Sequence, residues 1–236
     1  LDLSSEMISL EPGRYSPWIR LRFKAGPLSH LAGIARFLIT QTDPVMRMYV
    51  CPINIDPERP VLPISHPSAY SVYLSKRHEP YATLGLAEDT WALNDGVLED
   101  EQFLDQAYSI HSERERMFFD ALEKQRRGLV VCVFDLSDRI QHTFWRYHNP
   151  EHPALKGKKR GEQPDASNAI VQMYEGMDAL LGKTMEQLEE GDEILVMSDH
   201  GFNDFSREVN VNTWLLENGF LNLKEGCASS KEWFGD

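Results

Sequence analysis

Two apolar runs, each followed by an Asp and a His, most constrain how this chain can fold. The first lies in residues 129–145 (LVVCVFDLSDRIQHTFW), and the second lies in residues 193–202 (EILVMSDHGF). Short apolar runs bounded by turn residues are typical of buried strands in a parallel sheet. Residues 165–190, between the runs, have helical spacing. The order strand, crossover helix, strand therefore predicts two parallel strands joined by a right-handed connection.

The polar residues that close these runs are candidate metal ligands. Asp138 and His142 are four residues apart, so a helix would place both side chains on one face. Asp199 and His200 close the second run. Because ligand crevices form at the carboxyl ends of parallel strands, the two pairs are predicted to meet. Carboxylate and imidazole suit zinc or manganese, although the same residues also cap helices and form ion pairs.

Charge and composition narrow the possible functions. The chain has 236 residues, of which 42% are hydrophobic, and this is enough for a packed core. A formal net charge of −13 disfavours general nucleic-acid binding, which needs basic surface. No apolar stretch is long enough to span a bilayer, so no membrane partner is expected. Three scattered cysteines (Cys51, Cys132 and Cys227) do not form a disulfide scaffold, so a reducing cytoplasm is the expected location.

Residues 1–100 are predicted to form a β-rich region. Strand signals occur at residues 18–23, 33–40 and 45–51, a pattern typical of an antiparallel meander. Five prolines in residues 52–67 exclude a helix or a central strand there and predict an extended arm. Arg20 and Arg22 are predicted to share one face of a strand. They could contact an anionic substrate, but a solvated surface is the more common role of such residues.

Helical spacing dominates the rest of the chain. The pattern predicts a long helix over residues 101–127, with Gly128 as its stop. A second helix is predicted over residues 167–188, and a short helix over residues 210–218 precedes a final strand at residues 220–223. His111 is predicted to be a packed residue in the long helix. The Lys- and Gly-rich residues 156–160 favour a solvated loop over a phosphate-binding one.

The segments FDLSDRIQHTFW and VMSDHGF resemble the metal-binding motifs of the type I phosphodiesterase/nucleotide pyrophosphatase group of the alkaline phosphatase superfamily. The likeness is greatest to its predicted phosphohydrolase/phosphomutase branch, and it extends from about Tyr15 through INIDPERP and GLAEDTWAL. The resemblance implies two divalent ions, commonly zinc with manganese as the alternative, and a phosphorylated Thr or Ser nucleophile. It assigns Asp138 and His142 to one ion and Asp199 and His200 to the other. It also implies that Asp135 orients a ligand from outside the metal's coordination shell.

Part of the family pattern is not found in this sequence. The pattern needs an earlier strand that ends in a metal-binding Asp, then the nucleophile, and a further His downstream. Ser4, Ser5 and Thr40 lack that context, and no His follows His200. We therefore expect an internal fragment with residues 1–100 as an inserted or cap-like region and residues 101–236 as part of the metal-binding α/β domain. The expected fold is a partial alkaline-phosphatase-like parallel sheet flanked by helices.

The resemblance implies a metal-dependent hydrolase of small-molecule phosphate mono- or diesters. This chain would carry part of the active site, so the fragment alone is expected to be a poor catalyst. A phosphomutase and a sulfatase are alternatives within the superfamily. A non-catalytic interaction module, using the proline-rich arm or the Arg20/Arg22 face, is an alternative of another class. A sheet edge left exposed could also allow self-association.

Overall fold

A computed structural model describes residues 2–3, 8–24, 26, 30–149, 152, 155, 168–203 and 209–224. The strands are β1 (Asp2–Leu3), β2 (Ile19–Lys24), β3 (His30–Ala35), β4 (Phe37–Gln41), β5 (Arg47–Val50) and β6 (Asn54–Ile55). The helices are α1 (Ala69–His78), α2 (Thr90–Asn94), α3 (Asp100–Lys124), α4 (Leu136–His148), α5 (Ala169–Met185) and α6 (Val211–Glu217). All strand pairs among these residues are antiparallel. The described chain is a mixed α/β structure of small antiparallel sheets and helices.

The strands of the first hundred residues form two small sheets. One sheet has the order β1-β2-β3-β6, and β4 pairs with β5 alone. The chain passes from one sheet to the other at Arg36, whose backbone N–H donates to Cys51 Sγ at 3.1 Å. A Cβ at Gly33 would lie 2.7 Å from the Ile53 side chain, so glycine allows the close approach beside β6. The antiparallel pairing is confirmed, but the single strand predicted over residues 33–40 is two strands.

The predicted helices are confirmed, with ends shifted by a few residues. A capping box starts α3, because the Glu99 side chain accepts from the backbone of Gln102 and the Gln102 side chain accepts from the Glu99 N–H. His111 is buried in α3, with its ring 5.5 Å from the ring of Phe134. The predicted packing role of His111 is therefore confirmed.

Two apolar clusters form the core. One cluster joins α3, α4 and α5 and contains Phe103, Ala107, Leu136, Ile140, Phe144, Ala169, Ile170 and Met173. The other joins the two sheets to α2 and its flanks and contains Ile19, Leu21, Ala35, Leu38, Tyr49, Cys51, Ala92 and Leu98. The division at residue 100 into two regions stays a prediction. An ion pair between Arg36 and Glu113 connects the β3–β4 junction to α3.

The parallel sheet predicted from the two apolar runs is not confirmed. Within the described residues, neither 129–134 nor 193–197 is a strand. Leu129 is 82% exposed and Val131 is 75% exposed, and Leu195 in the second run is 81% exposed. A strand forms only where a neighbour pairs with its backbone N–H and C=O groups, and these runs have no ladder in the part of the chain that the structure describes.

The end of the described chain also differs from its prediction. Val211 and Trp214 of α6 are both exposed. Residues 220–223 are not a strand; Phe220 instead stacks on Trp214 with ring centroids 5.9 Å apart. Cys227, Ser4, Ser5 and the loop predicted at residues 156–160 lie outside the described residues. Of the helices described, none has the length and apolar character needed to cross a membrane.

Candidate metal centre

Helix α4 presents two of the predicted ligands on its outer face. Its inner face is apolar, and Leu136, Ile140 and Phe144 are buried against α3 and α5. Asp138 and His142 lie one turn apart on the other side, with His142 Nε2 3.2 Å from Asp138 Oδ1. The packing of the inner face therefore fixes the orientation of the outer pair.

His200 joins this pair from the second run. Its Nε2 atom lies 3.7 Å from the same Asp138 Oδ1 atom. The other ring nitrogen, Nδ1, lies 3.1 Å from the carbonyl oxygen of Gly201, which can only accept a hydrogen bond. Donation from Nδ1–H leaves the lone pair on Nε2, which lies 3.7 Å from carboxylate oxygens of both Asp138 and Asp199. Two acceptors that face each other are stabilised by a cation between them.

The spacing of these three side chains fits a metal ion. One ligand atom from each of Asp138, His142 and His200 lies within 4.8 Å of the other two. Tetrahedral ligands bound to zinc at about 2.1 Å lie about 3.4 Å from one another, which is close to the separations of 3.2 and 3.7 Å. An oxygen and two imidazole nitrogens also suit zinc, and three protein ligands leave a position open for water or substrate.

Asp199 also lies beside His200, with its Oδ2 atom 3.7 Å from His200 Nε2. Its side chain is 89% exposed, and its Oδ1 atom accepts a hydrogen bond from the backbone N–H of His200 at 3.1 Å. His200 Nε2 thus lies at the same distance from Asp138 Oδ1 and from Asp199 Oδ2, and the assignment of His200 with Asp199 to a second ion stays a prediction. The role of Asp199 as a metal ligand stays a prediction.

Aromatic rings cover one side of the group. The ring centroid of Phe202 lies 4.8 Å from that of His142 and 5.2 Å from that of His200. Phe202 also stacks on Trp145 at 5.8 Å. The sequence analysis gave no role to either aromatic residue. The available signal was the position of Trp145, three residues after His142 and so on the same side of α4.

Two further charged residues contact the site and were missed in the sequence. Arg139 Nη1 donates to Asp138 Oδ2 at 3.1 Å. Arg139 Nε lies 3.5 Å from an oxygen of Glu88, whose side chain is 3% exposed. Glu88 comes from the GLAEDTWAL stretch, where it follows the apolar residues Leu86 and Ala87. These contacts connect α4 to the first hundred residues.

Asp135 and Cys132 precede the site in the first run. Asp135 Oδ2 accepts a hydrogen bond from Arg114 Nη1 at 2.6 Å, so this carboxylate links the start of α4 to α3. Asp138 is instead contacted by the guanidinium of Arg139. Burial raises the pKa of the Cys132 thiol to about 11, and the thiol is therefore protonated at neutral pH rather than available as a thiolate ligand.

The carboxylate of Asp138 and the imidazoles of His142 and His200 form a donor set that could hold a divalent ion. The sequence model of the type I phosphodiesterase / nucleotide pyrophosphatase family matches residues 40–231, more than half of the chain. The chain therefore belongs to this family, and the resemblance noted in its motifs is confirmed. Comparison with curated proteins and with solved structures gave no match.

Proposed function

We propose that this protein is a divalent-metal-dependent hydrolase of phosphate mono- or diesters, of the phosphohydrolase/phosphomutase branch of its family. The observation that carries the proposal is the convergence of Asp138, His142 and His200 from two separate segments. Family membership supplies the class of reaction, since the family is described as one of phosphodiesterases and nucleotide pyrophosphatases. The cytoplasm is the proposed location, consistent with the free thiols of Cys51 and Cys132.

The side chains have separate tasks in this proposal. Asp138, His142 and His200 hold the first ion, and Asp199 contributes to a second. Two bound ions, zinc first and manganese as the alternative, would lower the pKa of a hydroxyl nucleophile and stabilise charge on the phosphoryl oxygens. Phe202 and Trp145 restrict water on one side of the histidine rings. The nucleophile and further ligands are proposed to come from outside this chain.

Zinc binding by the 236-residue chain is the first test. Isothermal titration calorimetry should show zinc binding to the wild type and its loss, or a large fall in affinity, in His142→Ala and His200→Ala. His66→Ala is the matched control, because His66 is an exposed histidine outside the group of three. Equal zinc affinity in the wild type and in both site variants would contradict the proposed centre.

Substrate class is tested with chromogenic esters on the metal-loaded full-length protein. Hydrolysis of bis(p-nitrophenyl) phosphate indicates a diesterase, and hydrolysis of p-nitrophenyl phosphate indicates a monoesterase. Hydrolysis of p-nitrophenyl sulfate alone would indicate the sulfatase alternative. The activity should be lost in His142→Ala; activity that is indifferent to this substitution would refute the assignment of the site.

The interaction module remains the second candidate, favoured by one observation. Four apolar side chains at or next to β5, those of Val45, Met46, Met48 and Val50, are exposed. The hypothesis that the Arg20/Arg22 face binds a partner is weakened, because Arg20 pairs with Asp56 and Glu58 within the fold. Partner binding that survives Asp138→Ala in a protein that does not bind zinc would favour the module. Self-association through an exposed strand edge stays part of this second candidate.

A further inference from the structure

The carboxylate of Asp138 divides its two oxygens between different partners. Oδ1 faces His142 Nε2 at 3.2 Å and His200 Nε2 at 3.7 Å. Oδ2 accepts a hydrogen bond from Arg139 Nη1 at 3.1 Å. A free carboxylate can bind a cation through one oxygen or both. At this site, only Oδ1 points to the place where the histidines converge.

The guanidinium that engages Oδ2 is itself held from another part of the chain. Glu88 precedes α2, and one of its carboxylate oxygens lies 3.5 Å from Arg139 Nε. This is a contact between charges rather than a formed hydrogen bond, since Arg139 Nε has no hydrogen-bond partner among the described residues. A buried carboxylate needs a counter-charge, and Arg139 is the cation that the structure places against Glu88. The burial of Glu88 therefore favours one position of the guanidinium.

We propose that Glu88 and Arg139 are positioning residues that keep Asp138 a one-oxygen ligand. This inference rests on the proposed metal centre and adds a device that controls its coordination number. With Oδ2 occupied by Arg139, the ion receives one oxygen and two nitrogens from the three side chains. A fourth position then remains open for the phosphoryl oxygen of a substrate. The region before α2 takes part in the site through Glu88 without touching the ion.

Cobalt(II) in place of zinc gives a direct readout of this coordination. Four-coordinate cobalt absorbs visible light strongly, and the absorption weakens when a fifth ligand atom binds. Arg139→Met and Glu88→Gln should release Oδ2 as an added ligand atom and weaken the visible band. Arg146→Met is the control, because Arg146 lies on the same helix and pairs with Asp100. Its cobalt spectrum should match that of the wild type.

The outcomes separate this inference from the proposed function. A wild-type protein that shows no cobalt band overturns the metal centre and this inference with it. A wild-type band that persists unchanged in Arg139→Met and Glu88→Gln overturns this inference alone. If Arg139→Met does not fold, Arg139→Lys takes its place, because a single ammonium group cannot contact both carboxylates as a guanidinium does. The same weakening of the band is expected in that variant.

Discussion

The carboxylate of Glu113 is expected to be the strongest single polar link between α3 and the first hundred residues. Its side chain is 3% exposed and accepts three hydrogen bonds: from Trp18 Nε1 at 2.8 Å, from Arg36 Nη2 at 2.7 Å and from the Ala82 backbone N–H at 2.8 Å. Each donor belongs to a different segment. One carboxylate therefore fixes the approach to β2, the β3–β4 junction and the loop after α1.

Removing this carboxylate should destabilise the protein strongly. In Glu113→Ala, the guanidinium of Arg36 stays largely buried without its partner, and breaking a buried pair in this way costs about 3–5 kcal/mol. Glu113→Gln keeps the volume but loses the charge and turns one acceptor into a donor. We expect it to cost about 1.5–3 kcal/mol, the range for a hydrogen bond to a charged group.

Urea denaturation followed by circular dichroism measures both free energies of unfolding. Glu115→Ala is the matched control on the same helix, because Glu115 pairs with the exposed Lys183 at 2.9 Å. A surface pair of this kind contributes less than about 1 kcal/mol. A loss below about 1 kcal/mol in Glu113→Ala would refute the reasoning that the buried pair connects the two regions.

Two further predictions concern the core beneath the site. Ile140→Ala removes a fully buried side chain from the inner face of α4, so it should lower the free energy of unfolding by about 2–5 kcal/mol and weaken zinc binding. Val171 is exposed, and Val171→Ala should change the free energy of unfolding by less than about 0.5 kcal/mol. Equal urea midpoints for these two variants would contradict the assigned packing. Burial lowers the pKa of His111 below its ordinary 6.5, so the folded state favours the neutral ring. The contribution of the neutral His111 ring to the free energy of unfolding is complete above about pH 6.5 and is lost as pH falls through the lowered pKa. His111→Leu should therefore make the free energy of unfolding depend less on pH on the acid side. An unchanged slope would contradict this account.

The helices could be predicted from sequence because their signals are local. The apolar spacing around Phe103, Ala107 and Ile110 defines the inner face of α3, and all three residues are buried. The strand signals at residues 18–23, 33–40 and 45–51 likewise located β2, β3, β4 and β5, whereas the two-residue strands β1 and β6 were not predicted. The two apolar runs were different, because a run of valines fixes the tendency to extend but not the identity of a pairing partner. The predicted parallel sheet depended on that missing information.

The same limit applies to the candidate site, where local geometry could be predicted and contacts between distant segments could not. The i,i+4 relation of Asp138 and His142 follows from helix geometry alone. Their approach to His200 was predicted from two parallel strands, and this sheet is not confirmed. The contacts of Arg139 and Phe202 could not be deduced from spacing, because each depends on residues distant in sequence that pack beside α4. The resemblance to the family implied that Asp135 orients a ligand, and this role stays a prediction; in the structure the Asp135 side chain pairs with Arg114 on α3.

The two histidines of the centre reach it by different routes, and this affects how an ion would be captured. One turn of α4 presents Asp138 and His142 as a ready-made chelating pair. His200 arrives on residues 193–202, which have exposed side chains and no ladder to a neighbouring strand in the described chain. Capture would therefore proceed in two stages, with docking on the helix first and ring closure by His200 second. The free energy released at closure would order residues 193–202, so a chelator that strips the ion would also loosen that segment.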